Sequence, residues 1–413
     1  MIKKNKKIYL DYAATTPLDP RVRKAMEPYG EKEYGNPTSI HSMGRRAREA
    51  INEARATVAR ILNCRQDEIV FTGSGTEAIN LAIFGVIRQA QMCKTELRTL
   101  SAGRGHLVTT KIEHHAVLHS VEALVKEGYE VVYLPVDKDG LVDPRNVKAA
   151  LRPDTVLVSV MYANNEIGAI EPIAEIGKVV KEFRRKKLEI RNSTLEIPGK
   201  TPFFLVDACQ AVGALDIDVQ KFGVDLLALN GSKIYGPKGV GALFVRRGVK
   251  LKPLIYGGGQ ESGLRSGTEN VSAIVGLAEA LKIAHGERAK ENARLEKLRD
   301  YFIAEILKRI PGAVLNGHPE KRLPNNINIS IPRLEGEAAV IYLDEKGIAA
   351  STGSACSSIE LTPSHVVSAL GRSYKYTGGS LRFSLGRKTT KKDLDYVLKV
   401  LPDIVKKLQR VHG

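Results

Sequence analysis

The chain has 413 residues, of which 43% are hydrophobic and 26% are charged, the balance of an ordinary globular protein with room for two or three domains. No apolar run approaches the roughly 18 residues of a membrane span. An export signal needs a longer apolar run than Ile8–Leu10, which Asp11 interrupts. The cysteines lie too far apart for a Cys-x-x-Cys metal pair and are too few for a disulfide framework: Cys64, Cys93, Cys209 and Cys356. We therefore predict a cytoplasmic protein with reduced thiols and no membrane contact.

The net charge is +17, from 63 Lys and Arg against 46 Asp and Glu. The excess is dispersed, with small clusters at Lys3–Lys7, Arg184–Lys187 and Lys391–Lys392, and Trp is absent. Nucleic-acid binders usually concentrate charge in one stripe that is interleaved with aromatic residues. The charge therefore favours solubility and attraction of acidic partners or anionic ligands, with a nucleic-acid surface as the alternative.

Short β-type runs alternate with helical patterns through the first two thirds of the chain. The predicted strands are Glu68–Phe71, His106–Thr109, Glu130–Leu134, Thr155–Val160, Phe203–Val206, Asp225–Leu229 and Val240–Val245. The predicted helices between them include Ala78–Ala90, His115–Glu127 and Pro172–Lys187, and Asp19 before Pro20 indicates a further helix start. This alternation predicts an α/β fold with a mainly parallel central sheet and helices on both faces.

A different pattern follows the long charged amphipathic run Val271–Ile310, which we interpret as a link to a smaller α+β domain. Its predicted elements are a strand, a helix, a second strand and a C-terminal helix, at Asn326–Ile331, Glu335–Lys346, Ser380–Leu385 and from Lys391 onward. Two polar stretches, Gln91–Gly105 and Lys187–Pro202, are predicted to be surface insertions in the larger domain.

The first motif with chemical meaning is the glycine-rich turn Gly73–Thr76, which follows a predicted strand and precedes a helix. The start of a helix offers backbone N–H groups and a positive dipole end, and both suit a phosphate group. The turn lacks the Gly-Lys-Ser/Thr of a P-loop and is not a dinucleotide fingerprint. A plain tight turn is the alternative.

Two polar residues follow buried-looking strands. Asp207 comes at the carboxyl end of one strand, the edge where ligands bind in open α/β sheets, although a helix cap or salt bridge would also explain it. Lys233 follows the next strand in a glycine-rich turn, where desolvation would suit a Schiff-base nucleophile, although most lysines are ordinary surface residues. Pyridoxal phosphate requires a phosphate anchor, a carboxylate beside its pyridine nitrogen and an amine, so the three features together predict a site for this cofactor.

Further segments carry a resemblance along nearly the whole chain: Leu10–Pro17, Gly35–Pro37, Thr76–Leu81, Glu113–Leu118, Asn164–Gly168, Lys233–Gly239, Arg265–Thr268, Gly353–Ser357 and Leu381–Arg387. Through them the chain resembles the cysteine desulfurases of the NifS/IscS group, among the class V pyridoxal-phosphate enzymes. The resemblance implies fold type I, with a large cofactor-binding domain over residues 18–288. It also implies a small α+β domain, formed by residues 1–17 and 289–413, that carries the catalytic cysteine loop.

The resemblance implies roles for the matching positions. Cofactor-binding residues would be Gly75, Thr76, His114, Asn165, Asp207, Gln210, Asn230, Ser232, Lys233 and Thr268. Thr268 would reach in from the second subunit of a homodimer, and His114 would stack on the pyridine ring. Substrate-binding residues would be Asn36, Asn165 and Arg382, the last a planar donor suited to a carboxylate. Catalytic residues would be Cys356, Lys233 and His114.

Two details of the sequence qualify this assignment. The family usually has Ser-Gly-His-Lys where this chain has Asn230-Gly231-Ser232-Lys233, and a serine hydroxyl can still donate to a phosphate. His114, His115 and His119 suggest a metal site as an alternative, but no His-Glu-x-x-His motif and no third ligand accompany them. We predict no metal.

Cys356 lies in a run of small residues, Ala350–Ser358, which predicts a mobile loop. Cys64 and Cys209 are in apolar contexts and are predicted to be buried, and Cys93 is the weaker rival for reactivity. The resemblance implies that L-cysteine becomes L-alanine while its sulfur moves to Cys356 as a persulfide. The sulfur would then pass to an acceptor, such as an iron–sulfur scaffold protein or a tRNA-thiolation factor, with direct tRNA contact as a further option.

Three other functions remain open at this point. An aminotransferase or a selenocysteine lyase would use the same cofactor site, and an aminotransferase would have no need of Cys356. A basic binding protein without enzymatic activity would need neither Lys233 nor Asp207.

Overall fold

A computed structural model describes residues 7–94, 105–190, 202–353 and 364–411. The predicted loop around Cys356 and most of the two predicted surface insertions lie outside these ranges. None of the described helices is both long enough and apolar enough to cross a membrane.

The elements follow in chain order: β1 (Ile8–Tyr9), α1 (Pro20–Met26), α2 (Pro28–Glu31), α3 (Ser42–Leu62), β2 (Ile69–Thr72), α4 (Gly75–Lys94), β3 (His106–Thr110), α5 (His115–Lys126), β4 (Glu130–Leu134), α6 (Pro144–Ala150), β5 (Thr155–Ser159), α7 (Ile173–Ile190), β6 (Phe203–Asp207), α8 (Val219–Phe222), β7 (Leu226–Asn230), β8 (Gly241–Val245), α9 (Val271–Arg309), β9 (Val314–Leu315), β10 (Asn326–Ser330), α10 (Gly336–Glu345), β11 (Ile348–Ala349), α11 (His365–Ala369), α12 (Tyr374–Thr377), β12 (Ser380–Ser384) and α13 (Lys391–Val411).

The central sheet has seven strands in the order β2-β8-β7-β6-β5-β3-β4. The strands from β4 to β7 pair in parallel, whereas β8 runs antiparallel to both of its neighbours, β7 and β2. All seven predicted strands are present in this sheet, which confirms the α/β fold class and the mainly parallel order. Apart from the partly exposed edge strand β4, the sheet is buried on both faces, as expected when helices cover a parallel sheet.

Successive residues of each strand point to opposite faces of the central sheet. Val70, Leu107 and Leu157 pack with α4 and α5 on one face. Val108 and Val158, the next residues along β3 and β5, pack with α3, α7 and α9 on the opposite face. The continuous apolar character of the strands therefore comes from two separate cores, one on each side.

A smaller antiparallel sheet has the order β12-β10-β9, and β1 pairs in parallel with β11 beside it. Its core includes side chains from α9, α10 and α13. Helix α9 is shared: its apolar side chains as far as Ala284 pack in the large core, and those from Leu295 onward pack in the small one. The predicted domain boundary at residue 288 falls within this helix and stays a prediction.

The N-terminal cap of α1 also connects segments that lie far apart in the sequence. Asp19 caps the helix, with its Oδ1 accepting from the Arg21 backbone N at 2.8 Å, and Pro20 occupies the first helical position as predicted. The other carboxylate oxygen accepts from Arg387 Nη1 at 2.5 Å. Because Arg387 follows β12, this cap ties the N-terminal segment to the small sheet.

Candidate active site

A cavity of about 290 Å³ lies where the carboxyl ends of β5, β6 and β7 meet the start of α4 and the strand β12. Most of the predicted site residues line it: Gly75, Thr76, His114, Asn165, Asp207, Gln210, Asn230, Ser232, Lys233 and Arg382. Residues from segments far apart in the sequence therefore meet at the edge of the sheet where ligands bind in open α/β folds.

Of the other predicted site residues, two do not line this cavity and one lies outside the described residues. Asn36 is exposed, and its Oδ1 accepts from the backbone N of Thr38 at 3.0 Å and from the hydroxyl of the same residue at 2.7 Å. Thr268 is exposed and does not line the cavity. Cys356 lies outside the described residues. The roles of all three stay predictions.

The glycine-rich turn forms the beginning of α4. Ser74 Oγ accepts from the Glu77 backbone N at 3.0 Å, and Glu77 Oε2 accepts from the Gly73 backbone N at 2.8 Å, so the turn is closed by reciprocal caps. A Cβ atom on Gly75 would lie 2.5 Å from Cys209 Sγ, so only glycine fits there. The first turn of a 20-residue helix is thus held against the cavity wall, which is a suitable place for an anionic group.

Asp207 is the last residue of β6 and is 6% exposed. Its Oδ1 accepts from the Cys209 backbone N at 2.9 Å, and the carboxylate lines the cavity. Burial raises the pKa of the Cys209 thiol well above its ordinary value, so this wall residue stays a neutral thiol. Burial also raises the pKa of Cys64 to about 12, although that side chain is half-buried rather than buried as predicted.

Lys233 is held by the N-terminal segment. Its Nζ donates to the backbone carbonyl of Ala14, and Gln210 Nε2 donates to the carbonyl of Ala13 at 2.9 Å. Thr16 fixes the segment, because its backbone N and its hydroxyl both donate to the Ser232 carbonyl at 2.9 Å. Sequence reasoning gave the two alanines no role. Their carbonyls form the contacts, and the only available signal was their position inside the matching segment that begins at Leu10.

His114 caps the start of α5, and its Nδ1 accepts from the Ala116 backbone N at 3.1 Å. Burial lowers the pKa of His114, so the ring is neutral with its proton on Nε2.

The ring of His115 lies 4.9 Å from those of both His119 and His365, and burial together with these neighbours lowers the pKa of His115 to about 4. In the described ranges no three His, Cys, Asp or Glu residues form a group that could hold a metal ion.

Arg382 enters the cavity from β12, in the small sheet. It is 2% exposed, and its Nη2 forms an ion pair with Asp11 Oδ1 at 2.8 Å. Its Nη1 donates to the Asn165 carbonyl at 3.0 Å, and its Nε has no partner among the described residues. Asp11 was not predicted as a site residue, although it interrupts an apolar run and lies in the matching segment Leu10–Pro17.

A profile of the class-V aminotransferase family matches residues 8–397. The chain belongs to this family. It is 48% identical over 406 residues to a Dictyoglomus turgidum protein named cysteine desulfurase IscS, across 98% of this chain and 96% of that protein. A solved structure described as a NifS-like protein superposes with a TM-score of 0.84 at 34% identity, covering 97% of this chain and 100% of the other. Another, described as SspA in complex with cysteine, has a TM-score of 0.76 at 33% identity and covers 92% and 98%.

The cofactor of this family is pyridoxal phosphate, and the cavity offers the groups that it requires. The first turn of α4 with the Ser232 hydroxyl suits the phosphate, and the buried carboxylate of Asp207 suits the pyridine nitrogen. The Lys233 amine suits the aldehyde. The close approach at Gly75, which a Cβ would block, gives the phosphate position its shape. The residues present therefore fit the cofactor.

Proposed function

We propose that this chain is a pyridoxal-phosphate-dependent cysteine desulfurase, which converts L-cysteine to L-alanine and receives the substrate sulfur on Cys356 as a persulfide. The observation that carries the proposal is the meeting of Lys233, Asp207, His114 and Arg382 in one cavity. The proposal is also supported by the 48% identity of this chain, over nearly its full length, to a protein named cysteine desulfurase IscS.

When bound, pyridoxal phosphate supplies an electron sink for the electron pair of the substrate's Cα–H bond. Lys233 is the base in the cavity that removes this proton, with the Ala14 carbonyl holding its Nζ. The Asp207 carboxylate lies at the buried end of β6, where it would favour a protonated ring nitrogen. The neutral ring of His114 provides a flat, uncharged face for stacking.

Arg382 binds the substrate carboxylate. Its Nη1 and Nη2 are fixed by Asn165 and Asp11, so the guanidinium is oriented before the substrate arrives. The guanidinium lines the cavity, where its remaining N–H groups can donate to that carboxylate.

The sulfur step belongs to Cys356. Its thiolate attacks the γ-sulfur of the substrate, so that a new S–S bond forms while the Cβ–S bond breaks. The electron pair of the broken bond stays on Cβ, which takes a proton and becomes the methyl group of alanine. L-cysteine and a thiol thus give L-alanine and a persulfide, with no external oxidant. Burial holds Cys209 as a neutral thiol in the cavity wall, which argues against it as the nucleophile.

The direct test measures both products. With L-cysteine and a reductant, the enzyme should release alanine and sulfide, and mass spectrometry should find added sulfur on the Cys356 peptide. Cys356→Ala should keep the cofactor spectrum and still exchange the Cα proton, but it should make no alanine, whereas Cys93→Ala should behave as wild type. If Cys356→Ala makes alanine at the wild-type rate, the persulfide mechanism is wrong, and a lyase or aminotransferase takes its place.

The proposal includes a homodimer with shared sites. Thr268 is exposed and absent from its own chain's cavity, and nearby Tyr256 is 72% exposed, as a surface covered by a second subunit would be. Mixed dimers test this arrangement. Lys233→Ala subunits combined with Thr268→Ala subunits should regain activity, since one site of each mixed dimer then holds both intact residues. No gain on mixing would contradict sharing.

Beyond the dimer, we propose a cytoplasmic enzyme that passes its sulfur to an acceptor protein, either an iron–sulfur scaffold or a tRNA-thiolation factor. The net charge of +17 favours an acidic acceptor or tRNA. In a pull-down, the persulfidated enzyme should retain the acceptor more strongly than the Cys356→Ala variant does. Mass spectrometry then identifies the retained protein. Labelled sulfur should then move from Cys356 to that acceptor, and a retained protein that receives no sulfur would be rejected.

A further inference from the structure

Gly353 and Ser364 flank the segment 354–363, which contains Cys356, and both lie beside the carboxylate of Glu166. Ser364 Oγ donates to Glu166 Oε2 at 2.5 Å. Gly353 lies so close to this oxygen that a Cβ atom on it would be only 2.6 Å away. Glu166 is 1% exposed, so water does not compete for these contacts. One buried side chain therefore lies beside both ends of the segment and is hydrogen-bonded to one of them.

Glu166 is itself rigidly held. Its backbone carbonyl accepts from Asn326 Nδ2 at 3.0 Å and from Asn328 Nδ2 at 3.2 Å, and both asparagines belong to β10 of the small sheet. Its backbone N donates to Asn164 Oδ1 at 2.8 Å. The preceding residue, Asn165, accepts from Arg382 through its carbonyl. Glu166 is thus fixed in place next to the residue that orients the substrate-binding arginine.

The neighbours of the two flanking residues also contact the site. Ser351 pairs with Arg382 through two backbone hydrogen bonds, of 3.1 and 2.6 Å. On the other side, His365 Nε2 lies 3.0 Å from the carbonyl of Glu113, the residue before His114. Both flanks therefore have their positions set by residues adjacent to the cavity, and Glu166 is where the two flanks meet.

We propose that Glu166 is a positioning residue for sulfur transfer, which fixes both flanks of the Cys356 segment relative to Arg382. The inference rests on the proposed function, in which the Cys356 thiolate must reach the γ-sulfur of a substrate that Arg382 holds. A misplacement of about 1 Å can cost a reaction about 100-fold. Removal of the Cα proton uses Lys233 and no residue of the flanks, so it does not depend on Glu166.

Two variants disturb the packing around Glu166 from the side of the flanks. Ser364→Ala deletes the hydroxyl, and Ser364→Thr keeps it. The matched control is Ser272→Ala, which deletes a partly buried hydroxyl that donates to the Met26 carbonyl at 3.1 Å, far from the cavity. Gly353→Ala forces a Cβ against Glu166, and its control is Gly286→Ala, where a Cβ would meet nothing within 4 Å.

Two rates are measured for each holoenzyme. Exchange of the Cα proton of L-alanine in deuterated water reports the lysine step without any sulfur chemistry. Mass spectrometry of the Cys356 peptide after a single turnover with L-cysteine reports sulfur transfer. Ser364→Ala and Gly353→Ala should lose about 10- to 100-fold in persulfide formation while exchange stays within about 2-fold of wild type. Ser364→Thr and both control variants should keep both rates.

Persulfide formation at the wild-type rate in Ser364→Ala would overturn the positioning role, and so would a parallel loss of both rates. If wild type itself forms no persulfide on Cys356, the proposed function fails instead.

Discussion

Two walls of the cavity are built in different ways. Asp207 and Lys233 belong to the wall formed by the central sheet, at or just after the ends of strands whose other residues lie in the apolar cores. Arg382 belongs to the wall formed by the small sheet, and its partner Asp11 is 371 positions away in the sequence. The proposed cofactor side is therefore positioned by local strand geometry. The proposed substrate side is positioned by polar contacts between distant segments, and the two sides should respond differently to substitution.

The largest effect is expected at the central-sheet wall. Lys233→Ala removes the proposed base and the proposed Schiff-base amine together, so alanine formation and Cα exchange should both fall by at least about 1000-fold. The melting temperature should change little, since the strands that carry the wall are intact. Lys238→Ala, an exposed lysine in the same turn that does not line the cavity, is the control and should keep its activity. Retained activity in Lys233→Ala would remove this residue from the mechanism.

A smaller and different effect is expected at the other wall. Arg382→Lys keeps the charge but loses the planar donor, so the KM for L-cysteine should rise by about 10- to 100-fold, more than kcat falls. Asp11→Asn should raise KM by about 3- to 10-fold, because the guanidinium loses the partner that orients it. The double variant should show less than the sum of the two effects, since the residues share one contact. Additive effects would show that Asp11 acts independently of Arg382.

The smallest effect is expected at Glu171, a buried carboxyl group that, unlike Arg382, has no ionic partner among the described residues. Glu171 accepts from the Val142 backbone N at 2.8 Å through one oxygen, the other has no partner there, and burial raises the pKa of its carboxyl from 4.5 to about 8. Between these values the folded state binds a proton that the unfolded state has lost, so the free energy of unfolding falls as pH rises. Glu171→Gln removes this titration.

The melting temperature of Glu171→Gln relative to wild type should therefore increase by a few degrees between pH 5 and pH 8, as measured by thermal unfolding. Glu296→Gln, at an exposed position of α9, provides the control and should show no such trend. A difference that is constant with pH would mean that Glu171 stays ionised when buried.

The sequence predicted the central sheet well because its strands are continuous apolar runs, so that β5, predicted as Thr155–Val160, ends only one residue earlier. The start of β2 was placed at Glu68, which instead lies in a 3₁₀ turn where its carboxylate accepts from the backbone N of Arg65 and of Arg247. Hydrophobic periodicity carries no information about such a contact. Asp207 was predictable because the end of a strand fixes its location.

The substrate wall could be predicted only in part. The resemblance singled out Arg382, but nothing in the segment Leu10–Pro17 indicates that Asp11 is its partner, because the two meet only when β12 and the N-terminal segment are assembled. Ala13 and Ala14 act through backbone carbonyls, which every residue type possesses. Contacts of this kind depend on the tertiary fold rather than on residue identity.

Helix α9 has 39 residues and extends about 58 Å, at 1.5 Å per residue. Between its two apolar ends, Arg288 and Asn292 donate to the carbonyls of Leu215 and Ala214 beside the central sheet, while Arg294 donates to those of Gly386 and Thr389 after β12. Because its backbone hydrogen bonds continue through this middle section, melting of either core would unravel a helix that the other core still needs. We expect the two sheets to denature together, in one cooperative calorimetric transition.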